Sequence, residues 1–185
     1  LWLTEPISFL AALFQSITTR TAGFSTIDIG AMTNAGLLVV MILMFIGASP
    51  GSTGGGIKTT TFFVLMQEVR IIFSKRRLGA FKRRLPKESL DKAATITLLG
   101  AVVVFVGTFV LCVLEPQLSF VQLLFEQVSA YSTAGLSMGI TAGLHPASKA
   151  VLIATMFIGR VGAFTLLSLW VTRPEPSAKY TEEAI

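Results

Sequence analysis

Thr21-Ala22-Gly23-Phe24-Ser25 recurs as Thr133-Ala134-Gly135-Leu136-Ser137, 112 residues later. The chemistry such a run offers lies in its backbone. Glycine takes dihedrals that other residues resist. Consecutive carbonyls can then turn towards one axis and replace the hydration shell of an ion, as Thr-Val-Gly-Tyr-Gly loops do in potassium channels. Neutral carbonyl oxygens suit a weakly hydrated monovalent cation. A divalent ion would want carboxylates, and neither loop contains one. The candidate ligand-bearing residues are Thr21, Ala22, Gly23 and Phe24, with Thr133, Ala134, Gly135 and Leu136. A single Thr-Ala-Gly reads as a helix end and a turn. Here Phe45-Ile46-Gly47 also recurs as Phe157-Ile158-Gly159, and Gln15 as Gln127, in the same register. The shared register argues for a duplicated unit.

A second constellation lies between the two loops. Residues 47–56 contain five glycines, two serines, a proline, an alanine and a threonine. No helix persists through that composition, because each glycine costs about 1 kcal/mol and proline about 3. Apolar runs on both sides put the break at membrane depth, where irregular backbone must be buried in protein or line water. A flexible, narrow, polar segment below a filter reads as a gate. Its candidate residues are Gly47, Ser49, Gly51, Ser52, Gly54, Gly55, Gly56 and Lys58. Arg160 joins them. It stands one residue after Gly159, as the break starts after Gly47, which places it at the level of the break and on the pore side. A mid-membrane arginine is costly and normally faces a bundle interior. There it would repel cations and donate to loop carbonyls. A phosphate-binding loop is the rival reading, but it needs Lys directly after the second Gly, and Ile57 intervenes. A carrier for an anionic substrate, bound by Arg160 and Lys58, is the alternative function.

Enzymatic chemistry has little to work with. Cys112 is the one cysteine and His145 the one histidine. This excludes an internal disulfide framework and a cysteine-rich metal site, and no catalytic residues and no covalently bound cofactor are expected. Arg20 precedes the first loop and is expected to point behind it and pair with an acid, Glu126 being one candidate. Asp28 could concentrate cations at an outer mouth or sit solvated in a loop.

The elements that position these residues are apolar helices. Of 185 residues, 52% are hydrophobic and 14% charged. Soluble domains carry about 25% charged residues, so the chain reads as an all-α integral membrane protein. Residues 92–114 predict one spanning helix, and 149–171 a second. The stretch 31–73 predicts a helix broken at 47–56. Short apolar helices at 6–19 and 117–130 are too brief to span a core of about 30 Å, which makes them re-entrant. Nine of the fifteen Lys and Arg lie between residues 70 and 92, and the net charge is +5. Basic loops stay in the cytoplasm, so 74–91 is read as inside, the filter loops as open to the outside, and the tail from 173 as inside. The flanking apolar segments disfavour nucleic-acid binding for the same basic run. The repeat places its first helix before Leu1, and no signal peptide is read in residues 1–30.

Three motifs carry a family resemblance: Thr19-Arg20-Thr21-Ala22-Gly23-Phe24-Ser25-Thr26, the run Gly47–Thr60, and Phe157-Ile158-Gly159-Arg160-Val161-Gly162. In these the chain resembles the Trk/Ktr/HKT superfamily of potassium transporters, most closely the membrane subunit of bacterial Ktr systems. The resemblance implies repeated helix–pore-helix–helix units around a pore, with the C-terminal half present here. Residues 1–73 would be the pore helix, filter loop and broken second helix of the third repeat, and 74–91 a basic cytoplasmic loop. Residues 92–172 would be the fourth repeat, and 173–185 a cytoplasmic tail. It also implies K⁺ as the transported ion, bound at the filter carbonyls, and an intramembrane loop that obstructs the pore, with the arginine contacting it. A multi-pass plasma-membrane homodimer and a cytosolic nucleotide-binding regulatory subunit follow from it as well. The bilayer is the remaining partner.

Overall fold

The computed structural model describes residues 8–74, 79–80, 83–84 and 87–162. Among the described residues there are six α-helices: α1 (Phe9–Thr18), α2 (Asn34–Phe45), α3 (Thr59–Ser74), α4 (Lys87–Leu114), α5 (Phe120–Ser132) and α6 (Pro146–Val161). Their starts follow local chemistry. Ser8 and Thr33 cap α1 and α2 through their hydroxyls. Ser119 and Gln122 form a reciprocal capping box on α5. Pro146 opens α6, where a missing N–H costs nothing.

The duplication is structural as well as sequential. Left-handed residues occur at Thr21 and Gly23, and again at Thr133 and Gly135. A 3₁₀ turn follows at Ile29–Ala31 and again at Thr141–Gly143, and the next helix opens at Asn34 and at Pro146. Each pair keeps the 112-residue offset.

Several boundaries differ from expectation. Helix α4 starts at Lys87 rather than Lys92, because Glu88 and Asp91 sit near its N-terminus, where negative charge is favoured. Helix formation there needs no apolar residue, so hydropathy undercounts it. The basic segment is not wholly coil: Gly79–Ala80 (β1) pairs antiparallel with Arg83–Arg84 (β2), satisfying backbone groups where the chain reverses. This is a small departure from an all-α chain. The second half of the helix expected over 149–171, and the tail 173–185, lie outside the described residues.

Helix α4 is the one described helix long and apolar enough to cross a membrane, over Ser89–Leu114. One of its faces is apolar and open: Leu98, Phe105 and Phe109 are each more than half exposed. The opposite face, including Val104, Thr108 and Leu111, is buried against the bundle. Helices α1 and α5, at 10 and 13 residues, reach about 15–20 Å, short of a bilayer core.

Helix α5 is the hub, in contact with α2, α4 and α6. Glycines bring the neighbours close. A methyl group on Gly159 would overlap the Tyr131 carbonyl, one on Gly107 the Gln127 amide, and one on Gly100 the Tyr131 hydroxyl. Phe125, Val128, Tyr131, Ala134 and Leu136 pack with Leu37, Val40 and Met44 of α2 in the larger core. The second Thr-Ala-Gly loop is thereby anchored on the first unit.

Candidate functional site: two Thr-Ala-Gly loops and a glycine-rich segment

The two repeated loops meet. A methyl group on Gly23 would lie 2.9 Å from the Ala134 carbonyl oxygen, and one on Gly135 would lie 3.3 Å from Gly23 Cα. In each loop the threonine and the glycine two residues later have positive φ: 71° and 78° in the first, 52° and 83° in the second. A β-branched residue in the left-handed region is an outlier. It costs on the order of 1–3 kcal/mol, and such strain collects at functional sites. Here it is held twice at matched positions.

Equivalent flanking residues differ in burial. Ala134 and Leu136 are each 2% exposed, whereas Phe24 is 71% exposed and Ala22 is also exposed. The second loop rests on α2 and α5, while the first presents the same side chains outward. The Phe24 carbonyl already accepts a hydrogen bond from Thr18 Oγ1 at 2.6 Å, and Phe24 N–H donates back to that oxygen at 3.0 Å.

The glycine-rich segment seats against both loops. Its ends are tied: Ile57 N–H donates to the Phe45 carbonyl at 3.1 Å, and Ile46 and Ile57 form a parallel bridge. The segment therefore leaves and returns at one level. Gly47 packs on the Gly55 carbonyl so closely that a side chain would overlap it. Ser52 N–H closes a turn onto the Ser49 carbonyl, with Gly51 at the open tip (φ 84°). Gly54 lies under the first loop, where a methyl group would be 2.7 Å from Thr21 Oγ1. Gly55 lies under the second, and its N–H donates to Thr133 Oγ1 at 2.8 Å. Only glycine fits both places.

Lys58 holds the segment. Its Nζ donates to the Gly54 carbonyl at 2.6 Å and to the Ser52 carbonyl at 3.3 Å. A cation just before the N-terminus of α3 opposes the helix dipole. The carbonyl contacts offset that. Sequence reasoning included Lys58 but gave the carbonyl-binding role to Arg160. Arg160 stands in the last turn of α6, exposed, and lines a cavity of about 170 Å³ together with Gly54, Gly56, Lys58 and Gly159. Arg160 thus shares a cavity with the segment, and the Ser52 and Gly54 carbonyls are engaged by Lys58.

Glu126 is not the partner of Arg20. Its carboxylate, 5% exposed, accepts from Ser137 Oγ, Met138 N–H and Thr141 Oγ1, and Arg20 is exposed. The hydroxyls after the second loop reach Glu126 because the chain doubles back on α5, which no spacing rule shows. Asp28 caps the first 3₁₀ turn, accepting from Gly30 N–H at 2.9 Å. His145 caps α6 through Nδ1. Among the described residues, no cluster of His, Cys, Asp or Glu is arranged to hold a metal.

Comparison with known proteins agrees with this architecture. The profile of the TrkH family, described as a cation transport protein, matches residues 3–182. The chain is 43% identical over 175 residues to Ktr system potassium uptake protein D of Bacillus subtilis, covering 94% of this chain and 38% of that protein. It is 38% identical over 185 residues to Ktr system potassium uptake protein B of Vibrio alginolyticus, covering 99% and 40%. The crystal structure of the potassium transporter TrkH from Vibrio parahaemolyticus superposes with a TM-score of 0.70 at 26% identity, over 87% of this chain and 36% of that one. The chain thus spans about two fifths of the length of the curated relatives it matches. The matched loops, the broken helix and these similarities converge: the chain belongs to the TrkH family of cation transport proteins.

Proposed function

We propose that this chain is the C-terminal half of a K⁺ transport protein of the plasma membrane, carrying two of four filter loops and the gate beneath them. The observation that supports this most is the stacking at the centre. Two loops with alternating backbone handedness meet at Gly23, Ala134 and Gly135, and Gly54 and Gly55 close against their threonines. Alternating left- and right-handed residues turn successive peptide planes the same way, so neighbouring carbonyls project to one side. Thr21, Ala22 and Gly23, with Thr133, Ala134, Gly135 and Leu136, then present oxygens to a dehydrated K⁺ ion, while the carbonyl of Phe24, the remaining expected ligand, is engaged by Thr18 Oγ1. The outward-facing Ala22 and Phe24 fit a neighbouring unit from the rest of the polypeptide, as Ala134 and Leu136 fit α2.

The glycine-rich segment is the barrier. Gly47, Ser49, Gly51, Ser52, Gly54, Gly55 and Gly56 form it, Lys58 latches it, and Arg160 adds fixed positive charge below. Residues 1–73 make the pore helix, filter and broken helix of one repeat, and 92–172 the next. The basic loop 74–91 and the tail 173–185 face the cytoplasm, and the filter opens outside. The subunit pairs with a second copy of itself, and from the cytoplasmic side a nucleotide-binding subunit acts on the segment, in keeping with the Ktr-system names of the relatives. An anion carrier is not favoured, because the Lys58 ammonium is engaged by carbonyl oxygens.

The test is ⁸⁶Rb⁺ uptake into liposomes holding the full-length protein, with K⁺, Na⁺ and a series of anions varied. Uptake that K⁺ competes for and that ignores the anion fits the proposal. Uptake that tracks the anion overturns it.

A further inference from the structure

Both loops are hydrogen-bonded to their short helices, the first through Ser25 Oγ to Gln15 Oε1 at 3.3 Å, but the turns that follow them are held by different chemistry. In the first unit, Phe14 occupies the position of Glu126 and Ile29 that of Thr141. Ile29 is buried in the larger core, so the turn after the first loop is anchored by apolar packing. In the second unit the same two positions are polar and bonded to each other: Thr141 Oγ1 donates to Glu126 Oε2 at 3.0 Å. Glu126 Oε1 accepts from Ser137 Oγ and from Met138 N–H at 3.1 Å. Ser137 Oγ also lies 2.8 Å from Thr141 Oγ1 and accepts from Gly139 N–H at 2.9 Å. Both carboxylate oxygens are thus spent on the five residues that follow Leu136.

Met138 and Ile140 of that segment pack partly against the two cores, but beside the Glu126 carboxylate packing is incomplete. A cavity of about 290 Å³ lies there, lined by Glu126, Ser129, Thr133, Ser137 and Thr141 among others. Leu136 fixes the loop on its other side by burial against α2 and α5. Gly135, exposed and left-handed, is strung between Thr133 and these two anchors. Its carbonyl is only as well placed as they are.

We propose that Glu126 is a positioning residue for ion selection: its carboxylate ties Ser137, Met138 and Thr141 to α5 and so fixes the level at which the second loop presents the Gly135 carbonyl. The role rests on the filter reading above. The carboxylate does not touch the ion. It acts as a double acceptor, and an amide oxygen can take over most of that geometry.

The experiment compares full-length wild type, Glu126→Gln, Glu126→Ala and the double variant Ser137→Ala/Thr141→Val in liposomes, reading K⁺ half-saturation and K⁺-over-Na⁺ preference. Loss of charge-assisted hydrogen bonds predicts at least about a tenfold fall in preference for Glu126→Ala and for the double variant. Glu126→Gln stays within about threefold of wild type, since its oxygen still accepts from Ser137 and Met138. Should Glu126→Ala fail to assemble, the double variant carries the same expectation without emptying the helix. Unchanged preference in the double variant overturns the role. So does a Glu126→Gln defect as large as that of Glu126→Ala, which would make the charge itself the active feature. Wild-type liposomes without K⁺ flux would refute the transport reading, whereas selective wild-type flux with unmoved variants refutes the role of Glu126 alone.

Discussion

Replacing Lys58 with methionine tests the latch on the glycine-rich segment. Methionine keeps much of the apolar stem and removes the ammonium. The bond lost first is the 2.6 Å contact with the Gly54 carbonyl, and Gly54 is buried. The 3.3 Å contact with Ser52 is exposed and adds little. A hydrogen bond from a charged donor contributes about 1.5–3 kcal/mol, and partial exposure of Lys58 argues for the lower end. Every 1.4 kcal/mol is a factor of about ten in an equilibrium. The seated segment therefore loses about tenfold in population relative to a displaced one. ⁸⁶Rb⁺ uptake by the full-length Lys58→Met protein in liposomes, normalised to incorporated protein, should rise by about that factor while the seated form still dominates. Lys58→Arg, which keeps charge and donors, should stay near wild type. Uptake by Lys58→Met within about twofold of wild type, at equal incorporation, would refute the latch and its energetics.

Arg160→Ala should also raise uptake, because it removes fixed positive charge from the cavity it shares with Gly54 and Lys58; unchanged uptake at normal protein level would count against a barrier role. Gly159→Ala should destabilise the fold by at least about 1–3 kcal/mol, the usual cost of overpacking, since the new methyl overlaps the Tyr131 carbonyl. A thermal midpoint equal to wild type would show that α5 and α6 are not so closely packed. Outside the membrane span, the His145 backbone N–H and then the Ser148 hydroxyl hold the Glu115 carboxyl below its usual range. A lowered folded-state pKa gives stability that is present above the unfolded value and lost as pH falls through the lowered one. Hydrogen-exchange protection at the start of α6, corrected for the intrinsic exchange rate at each pH, should therefore fall on acidification through that window, and Glu115→Gln should abolish that change in protection. The same fall in corrected protection in that variant would exclude Glu115 as its source.

Much of the centre was legible in the residues because its devices are local. A glycine run that breaks a helix, and Thr-Ala-Gly at a fixed register, announce backbone geometry, and the left-handed pairs at Thr21/Gly23 and Thr133/Gly135 follow. The register put Arg160 at the break, and Arg160 lines one cavity with Gly54, Gly56 and Lys58. What escaped depends on tertiary return. Lys58 reaches back over its own loop to the Gly54 carbonyl, a contact for which the sequence carries no signal. Glu126 meets Ser137 and Thr141 only because the chain folds back along α5. The early start of α4 escaped because acidic residues, not apolar ones, open it. The burial contrast between Leu136 and Phe24 could not be read from two equivalent positions in a repeat, since each depends on which neighbour is present.

The most direct test of a carbonyl filter built from these loops is the K⁺/Na⁺ selectivity of Gly135→Ser in the full-length protein. Gly135 sits at φ 83°, and a side chain there would press to 3.3 Å from Gly23 Cα, so one substitution disturbs both loops. Left-handed backbone costs a non-glycine residue about 1–2 kcal/mol, enough to move the carbonyl. The account predicts K⁺-selective ⁸⁶Rb⁺ uptake in wild type and Na⁺ uptake approaching that of K⁺ in the variant. Full K⁺ selectivity in a folded Gly135→Ser protein would contradict it.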